Sequence, residues 1–130
     1  MASIFSKIVN GVIPCHKVAE TEDFFAFLDI FPLVKGHTLV IPKKEVDKLF
    51  DLDDATYQGL FGFAKTVAAG ISQAYPCDRV SLSVIGLEVP HAHVHLIPIN
   101  KMSDMDFTKP KLSLSQEELA QSASLIRSYL

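Results

Sequence analysis

Five histidines occur in the chain, and three of them fall at alternate positions in the run His91-Ala92-His93-Val94-His95-Leu96-Ile97-Pro98. On an extended strand successive side chains point to opposite faces, so this spacing puts His91, His93 and His95 on one face and Ala92, Val94 and Leu96 on the other. The apolar face suits a core, and the imidazole face suits a ligand. Three imidazoles can hold a divalent metal with one coordination position open, as in catalytic zinc sites. Alternatively, neutral imidazoles hold a phosphate by N–H donation while one attacks phosphorus, because imidazole is both nucleophile and leaving group near neutral pH. Rings merely satisfied by backbone partners are the bland alternative, better suited to a lone histidine than to an aligned row. The pattern alone leaves both chemistries open. A second candidate is Asp29, at the end of Phe24-Phe25-Ala26-Phe27-Leu28-Asp29. A carboxylate in so apolar a run is costly to bury unpaired, and marks either a ligand contact or a strand-end turn.

Elements must position these groups, and the pattern predicts an α+β fold. Ser3 can cap a short amphipathic helix over residues 3–10, with Ile4, Phe5, Ile8 and Val9 as its apolar positions and Gly11 at its end. After Pro14, residues 15–20, 24–29 and 37–42 read as strands of an antiparallel meander, with Thr21-Glu22-Asp23 as one turn and Pro32 and Gly36 in the next loop. Residues 49–52 are too short to assign. Asp53 and Asp54 can cap a long helix whose Leu60, Phe61, Ala64, Val67, Ala68 and Ile71 form one apolar stripe ending before Tyr75-Pro76. Two further strands, 78–85 and 91–99, flank the Gly86-to-Pro90 loop. Residues 101–112 read as a polar loop, and Ser115-Gln116-Glu117-Glu118 is a capping box opening a last helix to about Tyr129.

Composition narrows the function. A chain of 130 residues with 48% hydrophobic and 21% charged side chains implies one globular domain, residues 1–130, that needs no disulfide or metal staple. Cys15 and Cys77 lack the spacing of a metal knuckle or redox pair. The net charge of −3 offers no basic field for polynucleotides or an anionic membrane. With no run of eighteen apolar residues and no signal-like start, a cytoplasmic location is expected.

The run from His91 to Ile97 resembles the signature of the histidine triad (HIT) superfamily, in its Hint-like and fragile-histidine-triad-like nucleotide hydrolases. Residues 4–14, Phe27-Leu28-Asp29-Ile30 and Gly36-His37-Thr38-Leu39-Val40-Ile41-Pro42-Lys43 are similar to its other blocks, in the family's order. The resemblance implies a HIT-like fold: about five antiparallel strands, a long crossing helix, and short N-terminal and C-terminal helices. It implies attack at the α-phosphorus of purine nucleoside phosphoramidates or related nucleotides through a nucleotidyl-histidine. His93 is then the nucleophile, and His91, His95 and His37 bind and polarise the phosphate. Ile4, Phe5, Ile8, Phe27 and Ile30 match positions that sandwich the purine, and Asp29 matches the acceptor for the ribose hydroxyls. Ser83 and Glu88, before the triad, complete the substrate-binding set. A homodimer is implied, paired through a strand edge and the helix over residues 56–74.

Departures from the family are informative. Leu87 stands where many relatives carry glutamine, Ser83 where they carry asparagine, and no tryptophan is present for a C-terminal contact. Ser3, Ser6 and Glu45 stand where several relatives have two cysteines and a histidine as zinc ligands, so no structural zinc and no cofactor is expected. Two other functions therefore stay open: a nucleotide-binding or sensing module with little turnover, and a metal-dependent hydrolase using His91, His93 and His95.

Overall fold

The computed structural model describes residues 2–130. Its elements run α1 (Ile4–Val9), β1 (Lys17–Glu20), β2 (Phe24–Leu28), β3 (Thr38–Pro42), α2 (Asp54–Ala74), β4 (Arg79–Ser83), β5 (Val94–Ile99) and α3 (Gln116–Arg127), with 3-10 turns at Leu49–Asp51 and Met102–Met105. The strands form one antiparallel sheet in the order β1-β2-β3-β5-β4. This is the α+β arrangement the sequence predicts, with element ends shifted by up to three residues.

Polar residues at the helix starts act as anticipated. The Ser3 hydroxyl accepts the Ser6 N–H at the start of α1, and Asp53 accepts the Thr56 N–H at the start of α2. Ser115 and Glu118 close a reciprocal capping box on α3. Each satisfies amide donors that a helix leaves unpaired in its first turn.

Alternation along the strands separates two apolar faces. Val18, Ala26, Leu28, Val40, Val94 and Leu96 pack under Leu60, Ala64, Val67 and Ile71 of α2 and Leu119, Ala123 and Ile126 of α3. Phe25, Phe27, Leu39 and Ile41 point the other way and pack with Phe5, Ile8 and Val9 of the six-residue α1, together with Cys15 and Val89. One face is thus covered by two long helices, while the other keeps an opening beside α1. No helix among the described residues is long and apolar enough to cross a membrane.

The sequence reading starts the last strand at His91, but β5 begins at Val94. The β3–β5 ladder ends at the Val40–Val94 pair. Beyond it the Ala92 N–H donates to Val46 O and the His91 N–H to Val89 O, so loops rather than β3 satisfy this backbone. Pro42, at the end of β3, has no N–H to extend the ladder.

Candidate active site

His37 is delivered to the cleft by the turn before β3. Gly36 adopts φ +93°, and a Cβ at that position would lie 2.8 Å from the Tyr75 ring, so both the backbone conformation and the space favour glycine. The ring of His37 is almost wholly enclosed, and its Nδ1 accepts the Leu33 N–H at 3.0 Å. That bond fixes the tautomer of the neutral ring, with its single proton on Nε2, which faces His95 Nδ1 at 2.9 Å. His95 in turn must carry its proton on Nε2. Burial, with His95 and Lys111 nearby, pushes the His37 pKa down to about 3. Burial, followed by His93 and Lys111, pushes His95 down to about 4. Both rings are therefore neutral at pH 7, and the relay runs Leu33 N–H to His37 to His95.

The other two histidines are held by backbone carbonyls. His93 Nδ1 lies 2.7 Å from the His91 carbonyl, and since a carbonyl only accepts, Nδ1 carries a proton, so the tautomer of the neutral form leaves Nε2 with a bare lone pair. Phe5 packs edge-on against His93 at 4.9 Å between centroids, and His95 lies 5.1 Å away on its other side. His91 is fully buried and does not join them in the cleft. Its Nε2 donates to Pro42 O at 2.8 Å, leaving Nδ1 to accept from the Ser3 hydroxyl at 2.8 Å. The expectation of three rings on one open face is thus corrected. With the backbone outside the ladder at His91, period-two alternation no longer applies, and this ring lies beneath Phe5 at the start of α1.

A cleft of about 430 Å³ opens beside His93, His95 and His37. Ile4, Phe5, Ile8, Phe27, Asp29, Ile30 and Glu88 line it, as the sequence predicts. Ser83 does not. It stands opposite His95 on the edge strand β4 and is not among the lining residues. Asp29 Oδ1 accepts the Phe31 N–H at 2.9 Å, and its Oδ2 lies 3.6 Å from His37 Nε2, beyond hydrogen-bond range. Because His37 is neutral, this contact is not an ion pair. Burial raises the Asp29 pKa, against the Phe31 N–H and the Lys111 ammonium, which lower it.

Sequence reasoning missed Ile13, Cys15, Val89, Phe107 and Lys111, which also line the cleft. Phe107 packs edge-on against His95 at 4.9 Å and His37 at 6.2 Å. It is the single aromatic residue in the polar stretch 101–112, a signal that this loop has something to pack against.

The geometry does not suit a metal. With His91 turned away, the rings of the row do not converge on a point. Asp29, His37 and His95 do bring ligand-type atoms within 4.8 Å of one another. However, His37 Nδ1 already accepts a backbone N–H, so ligation through Nε2 would require the ring to lose its only proton. The positions matching zinc ligands elsewhere in the family fit no better. Glu45 accepts the Ser3 N–H and, at 2.7 Å, the Ser6 hydroxyl, bonds that hold its pKa down to about 2. Two hydroxyls, one carboxylate and one imidazole already bonded together are a poor donor set for zinc.

The chain matches the HIT domain over residues 10–102, and it belongs to that family. It is 38% identical over 121 residues to adenosine 5'-monophosphoramidase hnt1 of Schizosaccharomyces pombe, covering 92% of this chain and 91% of that protein. Among solved structures, it is similar to a Hit-like protein involved in cell-cycle regulation from Bartonella henselae, with TM-score 0.86, 31% identity, and coverage of 98% and 96% of the two chains. It is also similar to a Zn-bound histidine triad family protein from Mycobacterium smegmatis, with TM-score 0.81, 27% identity, and coverage of 99% and 93%. A HIT-family nucleotide hydrolase is the general class these relatives define.

Proposed function

We propose that this protein hydrolyses purine nucleoside phosphoramidates or related nucleotides at the α-phosphorus through a nucleotidyl-histidine on His93. The observation that carries the reading is the bond from His93 Nδ1–H to the His91 carbonyl, which aims an unprotonated Nε2 at the cleft. In this mechanism the purine lies between Ile4, Phe5 and Ile8 of the α1 side and Phe27 and Ile30 below. Asp29 Oδ2, free of a hydrogen bond, accepts the ribose hydroxyls. The phosphate takes the proton of His95 Nε2 as a hydrogen bond, reinforced by His37 behind it, while His91 acts through its carbonyl and its anchors rather than by touching phosphate.

Attack by Nε2 forms a P–N bond as the bond from phosphorus to the leaving group breaks, and the departing atom is protonated from the His95 side. Water then attacks the same phosphorus, breaks the P–N bond and returns its released proton to the His95 side, which restores both histidines. The products are the nucleoside monophosphate and the free leaving group, with one water consumed. Neutral histidines suit this order, because a protonated His93 would have no lone pair to offer.

The test is to mix the protein with an adenosine phosphoramidate, quench in base, in which phosphorus–nitrogen bonds at histidine survive, and map the label by mass spectrometry. An adenylyl group on His93 is the expected result, and a label on any other residue overturns the mechanism. A binding or sensing module is the second reading, favoured by Leu87, which is 89% exposed where a polar leaving-group contact would stand. Adduct that forms in a single turnover but is not released would support it. The fully antiparallel sheet also leaves β4 as an unpaired edge, with Leu82 partly exposed, which supports a homodimer through β4 and α2. Light scattering near 14.3 kDa at micromolar concentration would contradict that assembly.

A further inference from the structure

Lys111 is the one cationic side chain among the described residues that line the cleft. Its neighbours there carry either no charge or the opposite one. His37 and His95 are neutral, and Asp29 and Glu88 are carboxylates. A site that must hold an anionic phosphate thus draws its only side-chain positive charge from a loop outside the sheet.

That loop is built to stand over the histidines. The Leu112 N–H donates to Pro32 O at 2.8 Å, tying the loop to the segment before His37. Asp106 accepts both the N–H and the hydroxyl of Thr108, and Lys109 Nζ donates to Ser103 O at 3.0 Å. Phe107 is thereby pressed onto His95, and Lys111 Nζ lies 6.0 Å from the Phe107 ring centroid. Lys111 Nζ donates to the carbonyls of Phe107 and Lys109, which orient the ammonium without neutralising it. Among the described residues no carboxylate lies within 4.0 Å of it.

We propose that Lys111 is a specificity-determining residue that binds the negative charge beyond the α-phosphate, so that the site prefers nucleotides carrying a second phosphate over those ending at the first. The proposal rests on the nucleotide reading of the cleft. Phe107 packs against His95 and Lys111 Nζ lies beside the Phe107 ring, so the ammonium stands on the His95 side of the cleft, the side from which the departing group is protonated in the proposed mechanism. A terminal phosphate there gains a charge-assisted contact at a partly dry rim. An amine at the same position gains nothing from Lys111.

The test compares AMP with ADP binding by titration calorimetry, in a His93→Ala background that removes turnover, for the parent and for Lys111→Ala, Lys111→Gln and Lys111→Arg. Lys111→Gln keeps an N–H donor for the Phe107 carbonyl and loses only the charge. The expected result is a loss of about tenfold in ADP affinity for both the Ala and Gln variants, with AMP changed about threefold or less and with Arg restoring the difference. Raising the salt should shrink the ADP preference of the parent and leave the Ala variant unaffected. If Ala and Gln weaken AMP and ADP equally, or neither weakens, Lys111 has no such role and the nucleotide reading stands. If the parent binds neither nucleotide at millimolar concentration, the nucleotide reading itself falls, and the role of Lys111 falls with it.

Discussion

The two faces of the sheet are made from the same strands and serve opposite ends. Val40 faces α2 and is fully buried among aliphatic side chains, whereas its neighbours Leu39 and Ile41 face α1, and Leu39 borders the cleft. The helix side is closed because α2 and α3 present long apolar stripes, 21 and 12 residues in length. The α1 side is covered by one short helix and by Phe107 from the loop over residues 101–112, so a groove remains. Stability and chemistry are in this way assigned to different faces, and substitutions should separate them.

The sharpest test of that separation is His93→Ala, expected to abolish the adduct and cost at least about three orders of magnitude in turnover, with little change in melting temperature. Leu60→Ala should do the reverse. Leu60 is fully buried on the sheet-facing side of α2, and its truncation is expected to cost about 2–5 kcal/mol in chemical denaturation while leaving kcat per folded molecule near wild type. A kcat drop in Leu60→Ala that matches that of His93→Ala would show that the faces are not independent.

His37→Ala should fall between these, losing about a hundredfold in turnover yet still forming some adduct, since it removes a donor to His95 and not the nucleophile. The same pair couples the cleft to pH. Both rings have folded pKa values, about 3 and about 4, below the ordinary 6.5, so between these limits the unfolded chain binds protons that the folded one does not. Their contribution to stability is complete above about pH 6.5 and is lost as pH falls toward 4 and 3. Each ring contributes at most about 1.4 kcal/mol per pH unit, and the raised pKa of Asp29 opposes them at the acid end. Denaturation midpoints should fall from pH 7 to pH 5, less steeply in His37→Asn. A flat profile in the parent would mean that the rings are not held neutral. The smallest effect belongs to Leu87→Gln, at the cleft rim, where one restored polar contact should raise turnover by about tenfold or less. Unchanged or lower turnover on phosphoramidates and dinucleotides alike would remove Leu87 from the account of leaving-group handling.

Much of this was legible in the chain. The alternation of Val94 and Leu96 with His95, the caps at Ser3, Asp53 and Ser115, and the aliphatic stripe of α2 are local patterns set by helix and strand periods, and each forms as read. Asp29, Phe5 and Phe27 reach the cleft because the blocks carrying them lie on the strand and helix that form its walls. Ser83 and His91 were misplaced for opposite reasons. Ser83 sits on a regular strand but one position too far out in the sheet, and His91 sits in the correct segment but just beyond the end of the ladder.

By itself the sequence determined the family, the order and type of elements, and which residue types were available to handle phosphate, because these depend on spacing along one chain. Only the tertiary structure decided which nitrogen of each histidine carries its proton, since that depends on Leu33 N–H, the His91 carbonyl and the Pro42 carbonyl coming within about 3 Å of particular ring atoms. It also decided that the loop over residues 101–112 closes on the cleft. Phe107 lies 70 residues from His37 and 12 from His95 in the chain, and no periodicity links positions that meet only when the loop folds back across the sheet.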